Sequence, residues 1–406
     1  MRLLFVSQFI ARPDEPGQNR IYDFLQRLAD AGHDVRVVTC GLHYIRATID
    51  PELARRKFLH GRWGRVEVTT TYASPGFRAG IVARLRSYLS FAWYAFRACL
   101  RVERPDALMV SVQPMFVAPL AWIVSRLRRA RFLLEVRDLW PDTAIALGAV
   151  RSRLVVFLAR RLEMFVYRSA DRIVVIGPEM KRRIVAKGIP ESKIEVIPQG
   201  FQPVDVLPDR LAARRRYGFG DAFVVMFTGS YGLANNDTNT ILDAALALRE
   251  EPGLLFVLVG DGDRKEEYVA RARAQGLDGV RFLPMVPKSE VPSLLAAADA
   301  CIMALPPGDF WKIFLQNKFF DYLGSGRPIV AAVAGDQADL LGLSRAGFTV
   351  PPGDVPGLSQ AILRLKRDPA LAREMGERGA RYARTHLLRS ALLDRYVRLV
   401  EDWVAR

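Results

Sequence analysis

Short apolar runs recur along the whole chain, and stretches of helical spacing separate most of them. In the first half the runs are LLFVSQF, DVRVVT, VEVTTTY, ALMVSV, RFLLEV and RIVVIG. In the second half they are FVVMFTG, LLFVLVGDG, VRFLPM, ACIMAL and PIVAAV. Short buried runs that alternate with helical segments predict parallel strands joined by crossover helices. The plan occurs twice, so the fold class is α/β, with two Rossmann-like, doubly wound units in tandem. Residues 197–222, IPQGFQPVDVLPDRLAARRRYGFGDA, break the rhythm with Pro and Gly before a new strand opens at Phe223. From about Val355 to Arg406 the chain reads as nearly all helix, more than the last helix of a Rossmann unit needs.

Composition narrows the class without changing this picture. A chain of 406 residues suits two domains. With 50% hydrophobic and 25% charged residues, long disorder is not expected. Cys40, Cys99 and Cys301 stand far apart, and an odd count without a CxxC pair argues for a reducing compartment rather than a disulfide framework. The opening MRLLFVSQF is followed by Arg12, Pro13, Asp14 and Glu15 instead of a small-residue cleavage site, so a buried first strand is expected rather than a signal peptide. No run is long and apolar enough for a spanning helix.

Charge adds a partner. The net charge is +16, concentrated in the first half: Arg78, Arg84, Arg86, Arg97, Arg101 and Arg104, then Arg126, Arg128, Arg129 and Arg131, then Arg151, Arg153, Arg160, Arg161, Arg168 and Arg172. Such a face attracts anionic lipid or nucleic acid. Residues 77–104 mix these arginines with Leu, Phe, Trp and Tyr. One reading is a core-facing crossover helix with snorkelling arginines; the other is an amphipathic helix in a membrane interface. Both hold if one face packs and the other meets lipid.

Five segments carry candidate chemistry. Gly17 sits at the turn after strand one, where backbone amides and a helix start could receive a phosphate or a sugar hydroxyl. Arg137 and Asp138, with Trp140 and Pro141, follow the strand RFLLEV at its carboxyl end, the edge at which open α/β sheets bind ligands. Gly229, Ser230 and Gly232 lie between a strand and a helix expected near Asp237, and small residues there let the backbone approach a pyrophosphate. The GDG after LLFVLV reads as a turn and by itself says little. Lys318 and Asp321 are three apart on an expected helix, a cation suited to a diphosphate and a carboxylate suited to ribose hydroxyls, or else a surface ion pair.

The segments EVRDLWPDTAIALG, GSYGLAN and NKFFDYLGSGRPIV, in that order, resemble glycosyltransferase family 4 of the GT-B fold over essentially the whole chain. They look most like the subfamily assembling bacterial O-antigen and exopolysaccharide repeats, which includes N-acetyl-L-fucosamine transferases. The resemblance implies two Rossmann-like domains facing across a cleft: an acceptor domain over 1–198, a linker over 199–222, a nucleotide-sugar donor domain over 223–385, and a helix over 386–406 that packs back on the first domain. It implies transfer with retention from a nucleotide sugar, with no cofactor and usually no metal; a UDP-sugar is the expected donor, with guanosine the alternative base. By residue, Gly17 matches the first-domain glycine near the donor phosphates, and Arg137–Asp138 falls where many relatives have His-Asp. Gly229, Ser230 and Gly232 match the second-domain phosphate loop, Lys318 the lysine at the diphosphate, and Asp321 the second acid of an E-x7-E pattern, at the ribose. Ile313 occupies the place of the first acid, Asp321 is shorter than the usual Glu, and Arg137 replaces His.

The implied role is a transferase in surface polysaccharide synthesis, peripheral on the cytoplasmic face of the membrane, with a lipid-linked acceptor. Two rivals share the architecture: a nucleotide-sugar 2-epimerase and a non-catalytic membrane-surface protein. The first leans on histidines, and His33, His43, His60 and His386 are scattered here. A nucleic-acid role finds no zinc, helix-turn-helix or RNP pattern.

Overall fold

The computed structural model describes residues 1–12, 20–42, 48–76, 79–112, 115–204, 209–232 and 236–405. They form two compact units, one of Met1–Ile197 with Leu393–Arg406 and one of Pro198–Leu392.

In the first unit the strands are β1 (Arg2–Ser7), β2 (Asp34–Cys40), β3 (Phe58–Trp63), β4 (Val66–Thr71), β5 (Ala107–Ser111), β6 (Arg131–Val136), β7 (Arg172–Val175) and β8 (Ile194–Val196). Its helices are α1 (Arg20–Asp30), α2 (Pro51–Arg56), α3 (Ile81–Arg101), α4 (Val117–Arg128), α5 (Asp142–Ala146), α6 (Arg153–Ser169) and α7 (Pro178–Ala186). The sheet order is β3-β4-β2-β1-β5-β6-β7-β8, parallel except for β3. β1, β5 and β6 are buried on both sides, which is why they read as unbroken apolar runs. α1 buries Ile21, Phe24, Leu25 and Leu28, the i, i+3, i+4, i+7 stripe of a helix with one core face.

α3 has two faces, as its sequence allows. Ser87, Phe91, Ala95, Ala98 and Cys99 are buried, while Leu85, Leu89 and Trp93 are exposed together with Arg84, Arg86 and Arg97. No described helix is long and apolar enough to cross a membrane.

The second unit contains β9 (Phe223–Thr228), β10 (Leu254–Val259), β11 (Val280–Leu283), β12 (Ala300–Ala304), β13 (Ile329–Ala332) and β14 (Gly347–Val350). Its helices are α8 (Arg210–Tyr217), α9 (Thr238–Ala247), α10 (Lys265–Ala274), α11 (Val291–Ala297), α12 (Asn317–Gly324), α13 (Asp336–Ser344), α14 (Val355–Arg367) and α15 (Pro369–His386); a last helix, α16, spans Arg389–Ala405. The strand order β11-β10-β9-β12-β13-β14, all parallel, is the Rossmann order.

The elements differ from the expected ones at the edges and at the joins. The apolar runs do not include β3, β8 or β14. The first is an antiparallel edge strand with an exposed His60-Gly61-Arg62 centre, and the other two have three and four residues at sheet edges. Segment 199–222, expected as a linker, carries structure inside the second unit. Asp209 caps α8, and Arg214 donates to the carbonyls of Gly220, Ala222 and Ala297 and pairs with Asp299 at 3.0 Å. The final helix starts later than 386. The Phe201 amide donates to the Leu387 carbonyl at 2.7 Å and Arg389 returns the bond at 2.8 Å, so the chain joins the first unit only from Leu393. There Tyr396 stacks on Phe24 at 3.9 Å and Asp394 pairs with Arg27 at 2.6 Å.

Candidate active site

In the second unit the strand order reverses between β9 and β12, where an open α/β sheet leaves a crevice at its carboxyl edge. Gly229, Ser230, Tyr231 and Gly232 leave β9 at that edge. Two of their amides are already committed: Gly229 donates to the Val259 carbonyl at 3.0 Å and Tyr231 to that of Asp261 at 3.0 Å. The Ser230 amide has no acceptor among the described residues, and Ser230 is exposed.

These bonds explain the GDG motif, whose spacing alone reads as a bare turn. β9 and β10 are parallel with Thr228 opposite Val259, so their exit loops run side by side. A Cβ on Gly260 would lie 1.8 Å from the Gly229 carbonyl oxygen, and the residue's φ is +157°. Only glycine lets the two backbones approach this closely. Gly260→Ala is therefore expected to cost about 1–3 kcal/mol of stability through overpacking and to displace the Gly229–Ser230 loop. Thermal unfolding measures this, and an unchanged midpoint would mean that the loops part freely.

Lys318 reaches the same loop from the first turn of α12. Its Nζ lies 4.0 Å from the centre of the Phe227 ring, and a Cβ on Gly229 would meet it at 3.0 Å. It donates to Asn236 Oδ1, which also accepts from Gln316 Nε2 at 3.3 Å, while Asn236 Nδ2 donates to the Ser230 carbonyl at 2.8 Å. Asn236 thus ties the lysine to the loop; it stands just before the expected start of α9, and nothing in the spacing singles it out. No carboxylate pairs with Lys318 among the described residues. Protein atoms crowd its ammonium, and this burial lowers its pKa well below the ordinary lysine value.

Two further details favour an anion here. α12 starts without a side-chain cap, and the amides of Asn317 and Lys318 find no acceptor among the described residues. Tyr322, fully buried on α12, accepts from the Thr228 amide at 2.7 Å and so fixes the end of β9. α9 contributes less than expected. It starts at Thr238 as read, but the Asp237 carboxylate caps it, bonding the amide and hydroxyl of Thr240. A negative charge already occupies that helix end.

Asp321 lies on α12 but does not act with Lys318. The two form no ion pair, and the nearest positive influences on its carboxyl are Lys288 and Arg389. It accepts no side-chain hydrogen bond among the described residues, and burial raises its pKa above the usual carboxylate value. Ile313, in the place of the first acid, is buried in the core.

In the first unit Arg137 and Asp138 follow β6 directly. Asp138 accepts from the Thr143 hydroxyl and the Leu139 amide, so its carboxylate closes the turn into α5; burial raises its pKa nonetheless. α5 is fastened in turn by Lys187, which lies 2.7 Å from Asp142 and 2.5 Å from the buried Glu163. Burial lowers the pKa of Arg137, opposed by Glu135. Glu135 itself pairs with Arg20 at 2.5 Å, both side chains being at most 3% exposed. Arg20 also donates to the Ile197 carbonyl at 3.2 Å and faces the Tyr396 ring at 5.6 Å. At the end of β1, Gln8 is fully buried with both amide atoms unpaired among the described residues. Gly17 lies outside the described residues. The described histidines are engaged elsewhere: His33 with Glu401 at 2.9 Å, His60 with Thr69 at 3.2 Å, His386 against Tyr382.

Both units match known protein families. Residues 17–200 match the family described as "Glycosyl transferase 4-like domain", and residues 222–368 match "Glycosyl transferases group 1". WcaI of Escherichia coli (strain K12), named as a glycosyl transfer protein of colanic acid biosynthesis, is 26% identical over 88% of this chain and 90% of its own length. The lipopolysaccharide core biosynthesis glycosyltransferase LpsD of Rhizobium meliloti (strain 1021) is 27% identical over 70% of this chain and 84% of its own. The structure of Anabaena HepE in complex with UDP and glucose superposes with a TM-score of 0.71 at 17% identity, covering 99% of this chain and 100% of that one. The two domain matches follow each other along most of the chain, each on one of the two Rossmann-like units, and the protein belongs to the GT-B glycosyltransferases that join a 4-like amino-terminal domain to a group 1 carboxyl-terminal domain.

Proposed function

We propose that the protein is a retaining glycosyltransferase that moves a hexose-type sugar from UDP to a lipid-linked saccharide at the cytoplasmic face of a bacterial membrane, in surface polysaccharide synthesis. The observation that carries this reading is Lys318: a crowded lysine paired with no carboxylate among the described residues, held against the Gly229–Ser230 loop and beside the uncapped start of α12. That is a receptor for a diphosphate leaving group. The names of WcaI and LpsD and the UDP bound to HepE support the pathway and the donor.

In this mechanism the bond between the sugar C1 and the phosphate oxygen breaks as the acceptor oxygen bonds to C1 on the same face. The acceptor proton passes to the departing phosphate oxygen. Charge grows on the diphosphate, and Lys318 with the Ser230, Asn317 and Lys318 amides stabilises it; in many enzymes preorganised electrostatics of this kind supply most of the rate enhancement. Asp321 serves the ribose hydroxyls, Arg137 and Asp138 orient sugar or acceptor, and the Gly17 turn lies near the donor phosphates. Lys318 supplies the positive charge a metal would bring, so turnover is expected to persist in EDTA; loss of rate restored by Mg²⁺ would contradict this. The exposed Leu, Trp and Arg face of α3 suits a membrane-borne acceptor.

A pH dependence follows from the lysine. Burial lowers its pKa in the free protein, and a bound diphosphate raises it, so UDP binding takes up a proton. Affinity is highest below the free-state pKa and falls as pH rises towards the bound-state value. Calorimetry in buffers of different ionisation enthalpy should show heats that differ accordingly; equal heats would place the diphosphate away from Lys318.

The transfer itself is tested by incubating a radiolabelled UDP-sugar with vesicles carrying lipid-linked acceptor. Labelled lipid with the donor's anomeric configuration supports the proposal. Conversion of the donor without acceptor would favour an epimerase.

A further inference from the structure

A groove lies between α4 and α6, outside the region of Arg137 and Asp138. It has a volume of 370 Å³ and is lined by Trp122, Arg126, Arg161, Met164, Phe165 and Arg168. Trp122 and Phe165 meet edge to face at 5.0 Å and make an aromatic floor. Trp122 Nε1 is buried and donates to nothing among the described residues, an arrangement that costs stability unless an acceptor arrives. Arg126, Arg161 and Arg168 line the same groove. Arg126 leans over Trp122 at 5.9 Å and approaches Asp171 only to 3.7 Å; Arg161 lies over Phe157 at 5.1 Å. Neither Arg161 nor Arg168 pairs with a carboxylate among the described residues.

The groove opens on an apolar rim. Leu154, Leu158, Arg161, Phe165 and Arg168 follow one another at spacings of four and three along α6, so they share one face of the helix. Leu154, Phe157, Leu158 and Phe165 are all exposed on it, and Ile123 and Leu127 are exposed on α4. Arginines set among exposed large apolar side chains suit a ligand that has a phosphate at one end and hydrocarbon at the other. A two-fold contact between copies of this face would gather both copies' Arg126, Arg161 and Arg168 into one interface with no acid on the groove lining to offset them. Nucleic acid would leave the leucines and phenylalanines uncovered.

We propose that the α4–α6 groove binds the phosphate head group of an anionic membrane phospholipid, with its acyl chains lying over the exposed leucines and phenylalanines of α6 and α4. The inference rests on the reading of the first unit as membrane-associated and adds to it a defined site, separate from the acceptor and from the α3 face. Head-group capture there would hold the enzyme on the bilayer independently of either substrate.

The test uses the full chain and cosedimentation with vesicles of phosphatidylglycerol and phosphatidylcholine, against vesicles of phosphatidylcholine alone. The double variant Arg161→Gln/Arg168→Gln is compared with Arg215→Gln/Arg273→Gln, which removes the same charge from exposed positions of the second unit. The proposal expects the first pair to lower affinity for the anionic vesicles about 30-fold, the loss of two arginine–membrane attractions. The second pair should change it less than about twofold, and UDP binding should be unaltered in both. Equal losses from the two pairs would overturn the site in favour of general charge attraction and leave membrane association standing. Release from the vesicles by millimolar inorganic phosphate, matched against chloride of equal ionic strength, would reassign the groove to a soluble phosphate. A dimer in sedimentation equilibrium that the first pair dissociates would reassign it to self-association. Failure of the wild type to bind anionic vesicles while still binding UDP would remove both the site and the membrane reading but not the donor site.

Discussion

Lys318→Ala is expected to lower kcat/KM for the nucleotide sugar by about a hundred- to a thousandfold, the usual effect of deleting one preorganised donor to a developing oxyanion. Most of the loss should fall on kcat, because the diphosphate gains charge as the sugar leaves and the ammonium meets that charge best in the transition state. Initial rates with saturating acceptor measure it. The same residue should behave oppositely in stability. A lysine whose folded pKa is lowered binds its proton less well in the native state than in the unfolded one, so it weakens the fold as pH falls below the unfolded lysine value. Lys318→Met removes that penalty, and its melting temperature should exceed the wild type's, by more at lower pH. A variant that is both less active and less stable would mark Lys318 as a structural residue. One that is inactive and more stable marks a group kept for its chemistry.

Arg20→Met is the second large effect, and it acts on the first unit. Arg20 and Glu135 form a 2.5 Å pair with almost no exposure, and Glu135 Oε2 already has no other partner among the described residues. Removing one member of a buried pair leaves an uncompensated charge and costs about 3–5 kcal/mol. The damage should reach the site, since Glu135 is two residues before Arg137 on the same strand end. The double variant Arg20→Met/Glu135→Leu should recover most of the stability, because an apolar replacement of both partners removes the desolvation cost together with the attraction. Denaturant unfolding of the three proteins measures this. A double variant no better than the single one would show that Arg20 is needed for its other contacts, to the Ile197 carbonyl and the Tyr396 ring.

The fold was legible in the sequence because both sheets are parallel apart from the edge strand β3 and their central strands are buried on both faces, so those strands had to be apolar runs. β3, β8 and β14 were not, since an edge strand needs neither length nor an apolar second face. Gly229, Ser230 and Lys318 come together, as the family resemblance implied. Their ties do not follow from spacing: Asn236 links lysine to loop across 82 residues, and Gly260 is a glycine because of a backbone in the neighbouring strand's exit. Lys318 and Asp321 show the limit of periodicity. Three residues apart on one helix allowed a shared face, yet the two side chains form no ion pair, and burial is what dominates the Asp321 carboxyl. The Arg20–Glu135 pair carries a sequence signal of its own, an acid inside the buried run RFLLEV, which calls for a partner; the sequence does not say which. The α6 stripe at 154, 158, 161, 165 and 168 was equally present, but its meaning depends on α4 supplying Trp122 and Arg126 beside it.

The central claim is that the second unit holds the donor diphosphate between the Gly229–Ser230 loop and the start of α12. A crystal structure of the protein with UDP tests it most directly. The β-phosphate is expected within hydrogen-bonding distance of Lys318 Nζ and the Ser230 amide, with Asp321 facing the ribose. A diphosphate bound elsewhere, with Lys318 still held only by Asn236, would contradict it.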